Sequence, residues 1–157
     1  MKLFVFNSFL ALVWAALTGV FTPVNFAAGF VLGFIMLAFA QSVFGKSSYA
    51  LRGIKFVGFV LYFLSELLKA NIRVAMDIVT PKNYMMPGLI RIPLEAKTDV
   101  EISLLANIIS LTPGSLCVDV SEDKKTMYVH AMYVEDADEF RREIKNGFER
   151  RLLEVLR

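Results

Sequence analysis

Two long runs without a charged side chain dominate the first part of this 157-residue chain. One extends from Leu3 to Phe21 and the other from Asn25 to Gly45, and only Thr22-Pro23-Val24 separates them. As a helix rising about 1.5 Å per residue, each run would be about 29–32 Å long, which matches the hydrocarbon core of a bilayer. The sequence therefore predicts a membrane hairpin with helices at about residues 3–21 and 25–44.

A soluble hairpin buried in a protein core is the alternative, because core helices can also lack charge. A chain of this length, however, cannot surround two such helices on every side. The first run is also longer than the apolar segment of a typical signal peptide and leads directly into the second run. We therefore expect both helices to stay in the bilayer as spans.

Charge divides the chain into two unlike parts. Residues 1–80 carry six basic and two acidic side chains, for a net charge of +4, whereas residues 81–157 carry eleven basic and thirteen acidic ones, for −2. This division predicts a membrane domain at 1–80, a linker at 81–88 and a water-soluble domain at 89–157. Basic residues of the soluble part alternate with acids, so nucleic acid is not an expected partner.

The distribution of basic residues also predicts the orientation of the hairpin. Lys46, Arg52 and Lys55 lie between the second run and the next helix, whereas the Thr22–Val24 connector is uncharged. Because cytoplasmic loops carry the excess of Lys and Arg, this segment and Lys2 are predicted to be cytoplasmic.

A third helix, predicted at about residues 54–79, is apolar at first and then amphipathic. Each charge at mid-membrane would cost about 2.5–3.5 kcal/mol. The helix therefore either spans with its polar stripe against other subunits or lies tilted at the cytoplasmic interface. A third full span would place the soluble domain outside the cell, which favours the tilted helix. The polar residues are Glu66, Lys69, Asn71, Arg73 and Asp77.

These five residues are candidates for an ion path or for a contact with another subunit, because ionisable groups in membranes often mark pathways. A solvated or self-paired face, with Glu66 near Lys69 and Arg73 near Asp77, is the simpler explanation of the same pattern. Gly29 and Gly33 form a GxxxG pattern in the second run and are candidates for close helix packing, since small residues let backbones approach.

The soluble part predicts a small α+β domain with the order β-α-β-β-α. Pro93 places the first strand at a sheet edge, because proline cannot donate to a ladder. Thr98-Asp99-Val100-Glu101 is a capping box that opens a helix ending near Leu111. That helix is apolar on both sides, so we expect the sheet to cover one side and a partner subunit or the membrane domain the other. The remaining elements are predicted at Ser115–Val120, Thr126–Val134 and Asp136–Arg157.

We predict no catalytic, cofactor-binding or metal-binding residue, and no enzyme activity. The single histidine, His130, and the single cysteine, Cys117, lie in neighbouring predicted strands without an acid placed to complete a triad. One cysteine excludes an internal disulfide and suits a reducing compartment. The acidic turn after Val120 lacks the spacing and the glycine of a calcium loop.

Four sets of residues carry a pattern that is specific to one family: Asn25-Phe26 with Gly29 and Gly33, Pro87–Ile90, Thr98–Gly114 and Tyr128–Ala131. The pattern covers essentially the whole chain, and its longest block is long enough to be specific. Together these segments resemble the E subunit of the Mrp-type multisubunit cation/proton antiporters.

The resemblance implies a multi-pass subunit of a hetero-oligomeric complex that exchanges Na+ for H+ across the cell membrane, with a cytoplasmic C-terminal domain. Its partners would be the other antiporter subunits, the lipid bilayer and the Na+ and H+ that the complex transports. Large subunits of such complexes pump the protons, so the implied role here is structural: a non-catalytic assembly subunit. The alternative is a direct contribution to the ion path through the stripe on helix 54–79.

Overall fold

The computed structural model describes residues 2–44, 48–81 and 85–157 and consists of two compact units, Met1–Ile54 and Lys55–Arg157. N-terminal apolar helices are followed by a small three-stranded sheet with its own helices. The elements are α1 (Lys2–Thr18), α2 (Pro23–Phe44), α3 (Ser48–Val79), β1 (Gly88–Pro93), α4 (Asp99–Leu111), β2 (Ser115–Val120), β3 (Thr126–Ala131), α5 (Ala137–Glu143), a π-helical segment (Ile144–Glu149) and α6 (Arg150–Leu156).

The turn of the hairpin differs from the predicted bounds at both of its ends. Helix α1 stops at Thr18, because Gly19 adopts φ +68°, the left-handed conformation that ends helices. Helix α2 begins at Pro23, whose fixed φ suits the first helical position. Among the described residues, Pro23–Ala40 is the one helical stretch with the length and hydropathy of a membrane span, and Leu3–Thr18 is a shorter apolar helix.

Small residues and buried amides hold α1 and α2 together. A Cβ atom at Gly29 would lie 2.8 Å from the Cβ of Trp14, so only glycine permits this approach. Gly33 lies against the side chain of Asn7, which is fully buried and donates from Nδ2 to the Phe30 carbonyl at 3.1 Å. An interhelical hydrogen bond of this kind satisfies a polar group where water is absent.

Asn25 organises the turn itself. Its Nδ2 donates to Thr18 Oγ1 at 2.7 Å and to the Val20 carbonyl at 2.6 Å, and its Oδ1 accepts from Trp14 Nε1 at 3.0 Å. One amide thus joins the end of α1 to the start of α2.

Helix α3 begins at Ser48, six residues before the predicted start at 54, and is 32 residues long. The prediction read the charges after Gly45 as a loop, but arginine and lysine are good helix formers, and charge indicates exposure rather than a helix end. Lys46 and the rest of 45–47 lie outside the described residues. At about 1.5 Å per residue, α3 is about 48 Å long, well beyond a bilayer core of about 30 Å.

The sheet has the order β1-β3-β2, and both pairs are antiparallel. β1 is an edge strand, as Pro93 predicted. The register places Ile90 opposite Val129 and Ile92 opposite Met127, and all four are buried on the face that the helices cover. The end of the predicted linker is tied to the sheet, because the Met86 backbone exchanges hydrogen bonds with Met132 and Val134.

Helix α4 begins at the predicted capping box, which is confirmed. Thr98 Oγ1 accepts from the Glu101 N–H, and the Glu101 carboxylate accepts from the Thr98 N–H. The same carboxylate takes two hydrogen bonds from the Arg157 guanidinium, at 3.0 and 3.1 Å. The Arg157 guanidinium and the Lys97 N–H lower the pKa of Glu101 to about 2.

The helix predicted as continuous from Asp136 contains a π-helical segment, Ile144–Glu149, which the sequence did not indicate. A π turn accommodates one extra residue and changes which side chains face inward. Here Glu149 is only 1% exposed, and its Oε1 accepts from the backbone N–H groups of Glu95 at 2.5 Å and Ala96 at 2.9 Å. The segment therefore brings a carboxylate to a backbone turn that has no partner strand.

We predict that Gly29→Ala loosens the hairpin, because the new methyl group overlaps Trp14 at atoms that cannot move without α1. Overpacking of this kind costs about 1–3 kcal/mol. Trp14 is the single tryptophan, so its fluorescence reports on the hairpin alone. In detergent micelles, Gly29→Ala should lower the denaturant midpoint of the Trp14 signal. Gly58→Ala, which meets nothing within 4 Å, should not; equal midpoints for Gly29→Ala and the parent chain would contradict the packing role.

Candidate functional site

One face of α3 packs against the α+β domain in the second unit. Phe59, Tyr62 and Phe63 contact the core of that domain. The Tyr62 ring lies 5.4 Å from the ring of Phe148 at 64°, an edge-to-face arrangement, and the Arg151 guanidinium lies 4.5 Å from the Tyr62 ring centroid. Through these contacts, α3 packs as part of the α+β domain.

Gly147 makes this approach possible. A Cβ atom at this position would overlap the Tyr62 hydroxyl group, so any other residue would force the Tyr62 side chain to shift. Gly147 itself is buried in the π-helical segment.

A second contact lies three to four turns further along α3. The Tyr133 hydroxyl, just after β3, donates a hydrogen bond to Asp77 Oδ2, and the Arg73 guanidinium lies 5.3 Å from the Tyr133 ring centroid. The hydrogen bond to Asp77 raises the pKa of the Tyr133 phenol. Two of the predicted candidates, Arg73 and Asp77, thus contact one tyrosine of the same chain.

The other predicted candidates on α3 have local partners. Lys69 Nζ lies 2.8 Å from Glu66 Oε1, which is the self-pairing considered from the sequence. Asn71 is exposed, and its Nδ2 donates to the Leu67 carbonyl at 2.7 Å within the helix. The structure therefore brings Glu66, Lys69 and Arg73 to one side of α3 and leaves Asn71 away from it.

A cavity of about 350 Å³ separates the middle of α3 from the domain. The wall on α3 carries the Glu66–Lys69 pair and Arg73, and the opposite wall combines Glu143 of α5 with apolar side chains and the end of α4. This volume lies at the lower end of the range for small-molecule sites, about 300–1,000 Å³. The residues around it are Tyr62, Glu66, Lys69, Ala70, Arg73, Ile109, Thr112–Ser115, Ala131, Tyr133, Phe140, Glu143, Ile144 and Phe148.

The remaining face of α3 is apolar and exposed. Four large side chains recur there at steps of four, and each is 50–61% exposed. A helix with one face on protein and another apolar face uncovered is typical of membrane interfaces. The four are Leu64, Leu68, Ile72 and Met76.

The groups around the cavity are charged, hydrogen-bonding and apolar side chains. In the described ranges, no three His, Cys, Asp or Glu side chains come together as metal ligands. His130 is exposed on the sheet face away from the core, where it lies opposite Leu116. Cys117 is half-buried, and burial raises the pKa of its thiol, which disfavours the reactive thiolate.

Sequence reasoning identified the polar residues of α3 but not the tyrosines that contact them. Tyr62 falls in a stretch read only as apolar, and Tyr133 lies in a segment read only as a strand. A buried tyrosine hydroxyl needs a hydrogen-bond partner. A tyrosine in an otherwise apolar stretch or strand is therefore the sequence signal that could have indicated these polar contacts. Asp77 is that partner for Tyr133.

Comparison with known proteins gives one consistent family. The model of the family MNHE, Na+/H+ ion antiporter subunit, matches residues 7–155. The E subunit of the Na(+)/H(+) antiporter of Alkalihalophilus pseudofirmus is 37% identical over 149 residues, covering 95% of this chain and 94% of the relative. The corresponding antiporter E subunit of Bacillus subtilis is 34% identical over 151 residues, covering 96% of each.

Two solved membrane complexes contain similar chains. A chain of the Mrp complex from Dietzia sp. DQ12-45-1b aligns with a TM-score of 0.50 and 26% identity, covering 65% of this chain and 96% of that one. A chain of the membrane-bound sulfane sulfur reductase, an archaeal respiratory membrane complex, aligns with a TM-score of 0.58 and 26% identity, covering 97% and 98%. The chain therefore belongs to the E-subunit family of the multisubunit Mrp-type Na+/H+ antiporters, and its place is in the membrane with other antiporter subunits.

Proposed function

We propose that this chain is a non-catalytic assembly subunit of a Na+/H+ antiporter complex, and not an enzyme. The observation that carries the proposal is the outward face of α4. Val100, Leu104 and Leu111 are 65%, 39% and 63% exposed, although α4 lies outside the membrane hairpin. Soluble surfaces rarely display such a row of large apolar side chains unless a partner covers it.

The inner face of α4 has its own cover. Ile102, Leu105 and Ile109 are buried against the sheet, as the amphipathic pattern requires. The second apolar face therefore adds nothing to the core of this chain. Because the relatives are subunits of a multisubunit antiporter, another subunit of that complex is the expected cover for it.

Strand β2 carries further exposed apolar side chains. Leu116 and Val118 are 55% and 57% exposed. The Cys117 N–H donates to Ser110 Oγ at 3.0 Å, which fixes β2 beside the end of α4. Large side chains that are already held at fixed positions suit a partner contact, because binding then costs little conformational entropy of side chains or loops.

We predict that Leu104→Glu separates the subunit from its complex, because a charge at the centre of an apolar contact is left desolvated and unpaired. Co-purification of the other antiporter subunits with the tagged chain should fall at least about tenfold. The control is Asn146→Glu, which introduces the same charge at an exposed polar position outside α4. Full co-purification with Leu104→Glu, at normal helix content by circular dichroism, would contradict the assembly surface.

We also propose a domain organisation of 1–80 in the membrane, 81–88 as linker and 89–157 as a cytoplasmic domain. In this arrangement α1 and α2 span the bilayer, and the second half of α3 lies tilted at the cytoplasmic interface. Three observations support the tilt: α3 is about 48 Å long, one face packs on the α+β domain, and another face carries exposed leucine, isoleucine and methionine. If α3 spanned the bilayer, its charged side chains that face the domain would contact neither protein nor water.

This topology predicts opposite labelling of two engineered cysteines in a Cys117→Ser background. Val24→Cys, in the first turn of α2 next to the hairpin turn and 80% exposed, should react with a membrane-impermeant maleimide on intact cells. Glu122→Cys, in the turn between β2 and β3, should react only in inverted vesicles. Labelling of Glu122→Cys from outside would mean that α3 spans the membrane, and the tilted arrangement would be wrong.

The second candidate function is a direct part in the path of Na+ or H+ through Glu66 or Asp77. Both acids lie on the polar side of α3, next to or near the cavity. The contacts of both acids support the structural role instead, because Glu66 is paired with Lys69 and Asp77 accepts from Tyr133. A carrier would have to break these contacts in every cycle.

Flux measurements distinguish the two functions. With Glu66→Gln and Asp77→Asn, we expect Na+-driven proton flux in inverted vesicles to stay within about twofold of the parent, normalised to the amount of assembled complex. Glu135→Gln, an exposed acid away from α3, is the control. An assembled complex that loses its flux with either α3 variant would establish the ion-path function.

A further inference from the structure

The cavity beside α3 has basic groups toward one end and acidic groups toward the other. Lys69 and Arg73 are one turn apart on α3, and Glu66 lies one turn in the other direction, so the positive and negative groups follow the helix axis. Glu143 lies on the opposite wall, and like Glu66 it acts electrostatically on Tyr62. A ligand that complements this order must itself carry a negative and a positive group.

Lys69 and Arg73 also border the exposed apolar face of α3. Residues three positions apart are separated by about 60° around a helix, so Lys69 adjoins Ile72 and Arg73 adjoins Met76. Ile72 and Met76 are 54% and 57% exposed. One molecule could therefore place charged groups in the cavity while its hydrocarbon part lies on the apolar face.

We infer that the cavity binds the headgroup of a zwitterionic phospholipid that carries a primary ammonium, that is, a phosphoethanolamine headgroup. The phosphate binds Lys69 and Arg73, and the ammonium binds Glu66 and Glu143. The acyl chains lie along Leu68, Ile72 and Met76. The inference goes beyond the assembly role and does not depend on it, but it rests on the proposed position of α3 at the membrane interface.

Charge balance and size both favour this class of ligand. The Glu66–Lys69 pair at 2.8 Å opens on binding, and each partner finds a new counterion in the same ligand, so neither charge is left unpaired. A cavity of about 350 Å³ holds a headgroup, and the chains of a phospholipid must remain outside. An anionic lipid would meet Lys69 and Arg73 equally well, but it would also face Glu66 and Glu143 without an ammonium.

The test measures binding of short-chain lipids to the purified full chain in detergent, by isothermal calorimetry. Dihexanoyl phosphatidylethanolamine should bind at least about tenfold more tightly than dihexanoyl phosphatidylglycerol. Arg73→Gln should weaken both lipids about tenfold. Glu66→Gln should weaken only the ethanolamine lipid, because it removes the acceptor of the ammonium.

The matched control is Lys55→Gln, which removes a cation from the same helix outside the cavity; its ion pair with Glu154 at 3.5 Å is exposed and weak. It should leave both affinities within about twofold. Equal affinity for the two lipids, or an equal loss from Lys55→Gln and Arg73→Gln, would overturn the inference. So would inorganic phosphate that binds as tightly as the ethanolamine lipid, because the site would then take free phosphate rather than a lipid.

Discussion

The contact between α3 and the α+β domain is the interaction on which the second unit depends. Tyr62 and Tyr133 join the helix to the domain more than three turns apart, one through rings and a guanidinium and the other through a hydrogen bond and a cation. Because both contacts use one face, the polar residues of α3 are directed to protein and its leucines away from it. Helix α3 would be poorly soluble in lipid alone or in water alone. The contact with the domain covers its polar face with protein and leaves its apolar face for an apolar neighbour.

The sequence predicted those structural features that depend only on neighbouring residues. Thr98 and Glu101 specify their capping box without help from the rest of the fold, and Pro93 can lie only where no strand needs its missing N–H. The start of α3 was missed because the charges after Gly45 were read as a loop, and the π-helical segment was missed because nothing near Ile144 differs from ordinary helix. The π-helical segment has a distant partner, because Glu149 binds the backbone at Glu95.

The candidate site was likewise predicted only in its local features. Periodicity placed Glu66, Lys69, Arg73 and Asp77 on one stripe, but it could not say what the stripe faces. The answer lies more than fifty positions further on, at Tyr133 and Glu143. The chains similar to this one occur in an Mrp complex and in a respiratory membrane complex, so the same kind of subunit serves assemblies with different names and chemistry.

The π-helical segment has a consequence for how this family can vary. The segment contains one residue more than a regular helix would need over the same path, and that extra residue lets Glu149 turn inward while Leu152 and Leu153 stay in the core. Deleting a single position there would restore a regular helix over the same path and keep Leu152 and Leu153 facing the core, but it would change which residues of the segment face inward, Glu149 among them. A one-residue gap between relatives in this stretch would therefore signal the loss of the Glu149 contact rather than a rearranged core.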